Sequence, residues 1–392
     1  MVQFSRTKRC NNEAAGSRPR GRLRHQAVAL AILPLAALAS AMTWITTSSP
    51  TAAVAAPLPW HSPRCAGRVA PAHSGPLLVG HNCRTVTVGG LERQYIVHVP
   101  TNVVPTDPHP VVIVFHGTGG SGGEFADRAS TGWEQLGDAR QFITVYPTAT
   151  AVCMDIVQQC APSGLQNRWF SDFHPFFINA NRPPGFPAQA AYPVDDVAFV
   201  DAIVADLLNV KSSGLAVQAS RLFVAGFSAG GCMTTTLAFK RSTTFAAAAS
   251  VAGCGAEEAV NPPSRYIPIS LSVGTDDPVA IVGTGMTGSL PMRPSAILAS
   301  QYGVKVLAPL VTRSGLDVLR NMEFAYPRVI DGSTPLLDTQ ITWMGFAQPL
   351  PGVQSTRVLE FTMVKGGVHN YSPLPNVTPA QLAWDFFMRR TM

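Results

Sequence analysis

Apolar and polar positions repeat with two different periods along this chain. Gln94 to Val99 alternates as a strand with two distinct faces does. Val111-Val112-Ile113-Val114-Phe115 is an unbroken apolar run, the pattern of a strand buried on both faces. Glu124 to Arg140 reads as a helix, and Phe142 to Tyr146 as the next strand. In Asp195 to Val210 the apolar residues recur near i, i+3, i+4 and i+7 behind two aspartates, which predicts an amphipathic helix with a well-charged start. Strands are then expected at Arg221–Ala225, Phe245–Val251, Tyr266–Val273 and Arg357–Val364, and a closing helix from Thr378 to about Arg390. Strands alternating with helices predict an α/β class protein whose mostly parallel sheet carries helices on both faces.

Three stretches stand outside that alternation. Residues 56–90 have no clear period and read as an N-terminal extension before the main domain spanning 91–392. Residues 148–194 and 279–350 are long for connections inside a compact domain and read as loop or cap insertions.

The chain begins with a different composition. Residues 1–25 hold seven Lys and Arg and one acid, and an apolar run follows from Ala27 to Ala41. Small residues offer cleavage after Ala41 or Ala55. A basic head, a short apolar middle and an A-x-A site describe a signal peptide and leader over 1–55. Pro34 and the shortness of the run argue against a membrane span, so no stable anchor is expected after cleavage and the product is expected to be secreted, extracellular or periplasmic. The formal net charge of +6 is that of the leader: without it 22 basic and 22 acidic residues remain. A neutral body gives no footprint for nucleic acid.

Export fits the cysteines. Cys10 leaves with the leader, and Cys65, Cys83, Cys153, Cys160, Cys232 and Cys254 make an even set suited to disulfides. The most local of the 15 pairings is Cys65–Cys83, Cys153–Cys160 and Cys232–Cys254. Cys232 begins the helix after one strand and Cys254 follows the next strand, on one edge of a parallel sheet. No C-x-x-C pair is present, and no metal or cofactor is expected.

Chemistry concentrates at Gly226-Phe227-Ser228-Ala229-Gly230. This G-x-S-x-G lies between the strand ending at Ala225 and a helix beginning near Cys232, where a tight turn lifts a serine hydroxyl over the sheet edge at a helix N-terminus. In α/β-hydrolase order an acid and then a histidine follow such a serine. Of nine histidines only His369 follows Ser228, in Lys365-Gly366-Gly367-Val368-His369. For the acid, Asp276 and Asp277 directly follow the strand ending at Val273, and the residues alone do not choose between them. An oxyanion hole needs two backbone N–H groups. Ala229 is one candidate, and Thr118 in His116-Gly117-Thr118-Gly119-Gly120 is the other. Gly117, Gly119 and Gly122 also satisfy G-x-G-x-x-G, but the following strand lacks the terminal acid that a dinucleotide site needs.

These residues resemble a known family. VVIVFHGTGG, VDDVAFVDAIVADL, RLFVAGFSAGG, SLSVGTDDPV and KGGVHNYS, spread over residues 94–371, are similar to secreted polyhydroxybutyrate depolymerase and feruloyl-esterase-type α/β-hydrolases. The resemblance implies an α/β-hydrolase fold with Ser228 as nucleophile, His369 as base and Asp277, the residue before proline, as acid. It implies a serine esterase without cofactor, acting on polyhydroxyalkanoate oligomers or on hydroxycinnamoyl or acetyl esters of polysaccharide. Asn370-Tyr371 stands where the family often has tryptophan. Two other readings accompany it: a secreted serine peptidase of the same fold, and an inactive binding module.

Overall fold

Val111, Ile113 and Phe115 pack into one apolar core while Val112 and Val114, the residues between them, pack into another. The same division runs through Tyr95 and Val97 against Ile96, and through Leu222 and Val224 against Phe223 and Ala225. A sheet therefore lies between two cores, as the unbroken apolar runs require. The computed structural model describes residues 74–127, 129–153, 165–169, 194–255, 263–274, 277, 302–314, 322–325, 340–345, 359–364, 367–371 and 378–391. The chain divides into two units, Met1–Ala53 and Val54–Met392, and all described residues belong to the second. The proposed leader, Cys10, Cys65, Cys160 and Asp276 lie outside the described residues.

The strands are β1 (Gly80–Val88), β2 (Leu91–Val99), β3 (His109–Phe115), β4 (Ile143–Pro147), β5 (Ala151–Cys153), β6 (Leu165–Asn167), β7 (Val217–Phe227), β8 (Ala247–Val251), β9 (Ile269–Gly274), β10 (Met322–Ala325), β11 (Gln340–Gly345) and β12 (Leu359–Val364). Ten of them form one sheet in the order β1-β2-β4-β3-β7-β8-β9-β12-β11-β10, and β5 pairs with β6 alone. From β4 to β12 the central strands run parallel, with antiparallel strands at both ends. The helices are α1 (Gly122–Asp127), α2 (Trp133–Arg140), α3 (Asp196–Leu208), α4 (Val210–Ser213), α5 (Ala229–Lys240), α6 (Ala308–Arg313) and α7 (Pro379–Thr391). Residues of α3, α5 and α6 line one core; residues of α1, α2 and α7 line the other. On the second face Trp384 stacks on Phe142 at 4.2 Å, and Phe387 on Phe223 at 4.5 Å. Asp195, read from the sequence as the first residue of the helix, instead caps α3 by accepting from the Ala198 N–H at 2.8 Å.

Three readings of the sequence are corrected. Residues 80–88 belong to the sheet rather than to an extension: β1 pairs with β2 along its whole length. Its period is hidden because Asn82 and Arg84 are buried polar residues. Asn82 bonds to Leu78 and Gly80 carbonyls, and Arg84 pairs with Asp206 at 2.7 Å. The helix expected over 124–140 is two helices: the first ends at Asp127, a 3-10 turn covers Ala129–Thr131, and Gly132, whose φ is 75°, precedes the second. The stretch 279–350 is not simply a loop or cap, since β10 and β11 extend the main sheet beside β12.

Candidate active site

The apolar run of β7 carries the chain to the C-terminal edge of the sheet, where it must reverse into α5. The turn falls on Ser228, with φ 54° and ψ −119°. A side chain seldom adopts such a backbone, and holding it costs about 1–3 kcal/mol. The Ser228 N–H donates to Val251 O at 2.9 Å, and Ser228 O accepts from the Cys232 N–H at 3.0 Å, so β8 and α5 fix the corner from both sides. Cys232 is disulfide-bonded to Cys254 with 4.8 Å between Cα atoms, the pairing expected from their places on one sheet edge. Thr235 Oγ1 donates to Cys254 O at 3.0 Å and reinforces that tie. Cys83 is also disulfide-bonded, whereas the side chain of Cys153 is not among those described.

The neighbouring parallel strands β9 and β12 end beside this corner. Asp277 follows β9 and is completely buried. His369 follows β12 and is partly exposed. Their loops touch: a side chain on Gly274 would place its first carbon 2.0 Å from Gly367 O, so only glycine permits this approach. His369 Nδ1 lies 2.8 Å from Asp277 Oδ2 and 3.0 Å from Oδ1, and His369 Nε2 lies 3.0 Å from Ser228 Oγ. An imidazole protonated on Nδ1 satisfies both contacts. It donates to the carboxylate and accepts the serine hydroxyl proton. The ring rests on Phe227, 4.9 Å between centroids. Two residues on, the buried Tyr371 hydroxyl accepts from Trp133 Nε1 at 2.7 Å, which anchors the histidine loop to α2. Burial, and then the nearby charge of Asp277, push the Tyr302 hydroxyl far above its ordinary range, so it stays neutral beside the carboxylate.

The glycine loop after β3 lies against the serine. A side chain on Gly117 would come within 2.9 Å of Phe227 Cδ1 and 3.4 Å of Ser228 Cβ. Thr118 follows, half-buried, and Ala229 is buried at the start of α5. The next amides of the loop are already used. Gly119 N–H donates to Asn167 O at 2.8 Å and Gly120 N–H to Gly117 O at 3.1 Å. Asn167 also donates from Nδ2 to Gly120 O at 2.9 Å, and Trp169 Nε1 donates to His116 O at 2.8 Å. Asn167 and Trp169 thus clamp the loop from the stretch read as an insertion. Asn167→Ala should lower kcat for a p-nitrophenyl ester by about 10-fold or more with KM nearly unchanged, because a displaced donor is felt mainly at the transition state. Steady-state kinetics checks this, and an equal loss through KM alone would contradict it.

His116 is fully buried under the loop. Its Nδ1–H donates to Gly117 O at 2.7 Å and its Nε2 accepts from the Ala149 N–H at 3.0 Å, so the ring is neutral. Burial holds its pKa down at about 4. Below the ordinary value of about 6.5 the unfolded chain binds a proton that the folded chain refuses. His116 therefore contributes stability that is present above pH 6.5 and lost as pH falls toward 4, about 3 kcal/mol in all. Denaturant unfolding at pH 7 and pH 4.5 should show a smaller acid loss in His116→Gln than in the parent protein.

Ser228, Asp277, His369, Thr118 and Ala229, the site residues expected from the sequence, all lie at this corner. Asn167, Trp169, Tyr371 and Trp133 were not foreseen. Of these four only Tyr371 carried any sign, as a neighbour of His369. Among the described residues the one group of His, Cys, Asp and Glu able to hold a metal ion does not include the three bonded side chains. No described helix is long and apolar enough to cross a membrane.

Residues 102–289 match the family model described as Phospholipase/Carboxylesterase, a span that includes Ser228 and Asp277 and stops before His369. Among solved structures, the acetyl xylan esterase from Aspergillus awamori is similar with a TM-score of 0.47 and 16% identity, over 78% of this chain and 99% of that one. The CE1 ferulic acid esterase from Anaeromyces mucronatus gives a TM-score of 0.44 and 13% identity, over 82% and 94%. The fluorophosphonate-binding serine hydrolase F of Staphylococcus aureus gives 0.33 and 14%, over 52% and 81%. No curated protein sequence matches the chain. With its parallel sheet, its helices on both faces and its serine at the strand-to-helix corner, the chain has the α/β-hydrolase fold, and over residues 102–289 it is similar to the phospholipase/carboxylesterase family.

Proposed function

We propose that the protein is an exported serine esterase that hydrolyses carboxylic esters through an acyl-enzyme. The observation that carries this reading is the continuous hydrogen-bond chain from Ser228 Oγ through His369 to the buried Asp277. As Ser228 Oγ attacks the ester carbonyl, its proton passes to His369 Nε2. Asp277 keeps the imidazole in the receptive tautomer and balances the charge it acquires. The oxyanion forms against the N–H groups of Ala229 and Thr118, each such donor supplying about 3–4 kcal/mol at the transition state. The intermediate collapses, His369 returns the proton to the departing alcohol, and water repeats the sequence on the acyl-serine. The substrate class follows the resemblance drawn from the sequence: polyhydroxyalkanoate oligomers, or hydroxycinnamoyl and acetyl esters of polysaccharide. The leader and the body's zero net charge suit such extracellular esters. A fluorophosphonate probe should label Ser228 in the folded protein and in no unfolded control. Turnover of p-nitrophenyl butyrate, methyl ferulate, acetylated xylan and polyhydroxybutyrate granules then ranks the substrates. A folded protein that takes no label and hydrolyses no ester would overturn the reading.

A further inference from the structure

A second cluster lies on the face of β1 and β2 covered by α2. The antiparallel register sets His81 directly opposite His98. Side chains directly opposite in such a pair share one face of the sheet. There α2 packs over them with Glu134 and Asp138, four residues apart and so one above the other on a single helical face. His81 Nε2 is 2.5 Å from Glu134 Oε1, and His98 Nε2 is 3.2 Å from Asp138 Oδ1. One ligating atom from each of His81, His98 and Glu134 lies within 4.8 Å of the others. The two imidazole rings meet edge to face at 5.4 Å.

Ordinary packing does not account for this arrangement. A His–Glu pair by itself is complete with one proton between nitrogen and oxygen. The second imidazole has a carboxylate of its own on Nε2, Asp138, yet its other nitrogen is placed at a cost. His98 is 6% exposed, and its Nδ1 is buried with no hydrogen-bond partner. A buried polar atom left so loses its hydration without compensation. Two imidazoles with one carboxylate are a common ligand set for Zn2+, with bonds of about 2.0–2.2 Å. Asp138 stands where a carboxylate behind a metal-bound histidine orients the ring.

We propose that His81, His98 and Glu134 bind one divalent transition-metal ion, Zn2+ by the borderline character of the donors, with Asp138 orienting His98 and a water in the fourth position. The ion takes the place of the hydrogen bond between His81 Nε2 and Glu134, and the neutral His81 ring then carries its proton on Nδ1. It joins the edge strand β1 and its neighbour β2 to the first turn of α2. The site is separate from the serine and does not depend on the esterase reading. It does share a helix with Trp133, the residue before Glu134, which holds Tyr371.

Untagged full-length protein, stripped with a chelator, is titrated with ZnCl2 by isothermal calorimetry and melted with and without the ion. The expected result is one Zn2+ per chain and a higher melting temperature with Zn2+. Affinity should fall by about 100-fold or more in both His81→Ala and Glu134→Gln. The metal-free variants should keep the circular dichroism of the parent. Stoichiometric binding that survives both substitutions, or no binding by the parent, overturns the proposal. Should His81→Ala fail to fold, Glu134→Gln, which keeps shape and removes the charge, decides alone.

Discussion

Ser228→Ala is expected to lower kcat toward p-nitrophenyl butyrate by about 10⁵-fold or more while the protein melts within a few degrees of the parent. The substitution removes one oxygen on which the fold does not rest. The bonds that shape the corner are made by backbone groups, Ser228 N–H to Val251 O and Cys232 N–H to Ser228 O, and alanine keeps both. The hydroxyl's bond to His369 Nε2 disappears, at a net cost of about 1 kcal/mol in a partly exposed place. Alanine also keeps the unfavourable φ of 54°, because the penalty belongs to the β-carbon and not to the hydroxyl. Ser228→Gly separates the two roles. It should be equally inactive, yet about 1 kcal/mol more stable than Ser228→Ala, since glycine relieves strain of about 1–3 kcal/mol and returns part of it as unfolded-state entropy. Urea unfolding of the two variants and a stopped ester assay measure both quantities. Activity of Ser228→Ala near that of the parent would remove the serine from the mechanism. A Ser228→Gly variant no more stable than Ser228→Ala would show that the corner is not strained.

The parts of this molecule that the sequence made legible are those in which neighbouring residues say the same thing. Val111 to Phe115 and Arg221 to Ala225 read as buried strands because every residue in each run, or nearly every one, is apolar. Ser228 was visible because glycines flank it at a turn between such a strand and a helix, where an exposed hydroxyl serves as a nucleophile. His369 was visible by order along the chain. Asp276 and Asp277 were not separable, because adjacent residues after one strand share every local feature; the resemblance chose Asp277, the residue whose carboxylate meets His369. What stayed hidden depends on partners far away in the chain. Arg84 made β1 unreadable because its partner Asp206 is 122 residues distant. Asn167 looked like one polar residue among many until its contacts with Gly119 and Gly120 placed it on the glycine loop. His81, His98 and Glu134 come together only through a strand register and a helix packing that no local period announces.

Asp277→Asn is the second large effect expected, a loss of about 10⁴-fold in kcat at neutral pH with KM little changed. The asparagine side chain has nearly the same shape, so the buried pocket after β9 is not emptied. Its amide, however, can present N–H to His369 Nδ1, and an imidazole that accepts there carries its proton on Nε2. That nitrogen then faces Ser228 Oγ as a donor and cannot take the serine proton. The substitution also removes the negative charge that touches the ring when it becomes positive, and the removal occurs in a fully buried place where little water can replace it. Substrate binding, which does not require proton transfer, is spared. Asp276→Asn, one residue earlier, should keep activity within about 10-fold of the parent, since the roles assigned to Ser228 and His369 need only the carboxylate that meets Nδ1. The pair of variants measured side by side on one ester distinguishes the acid from its neighbour. Loss in Asp276→Asn with activity retained in Asp277→Asn would reverse the assignment and would require the loop between β9 and the histidine to rearrange when substrate binds.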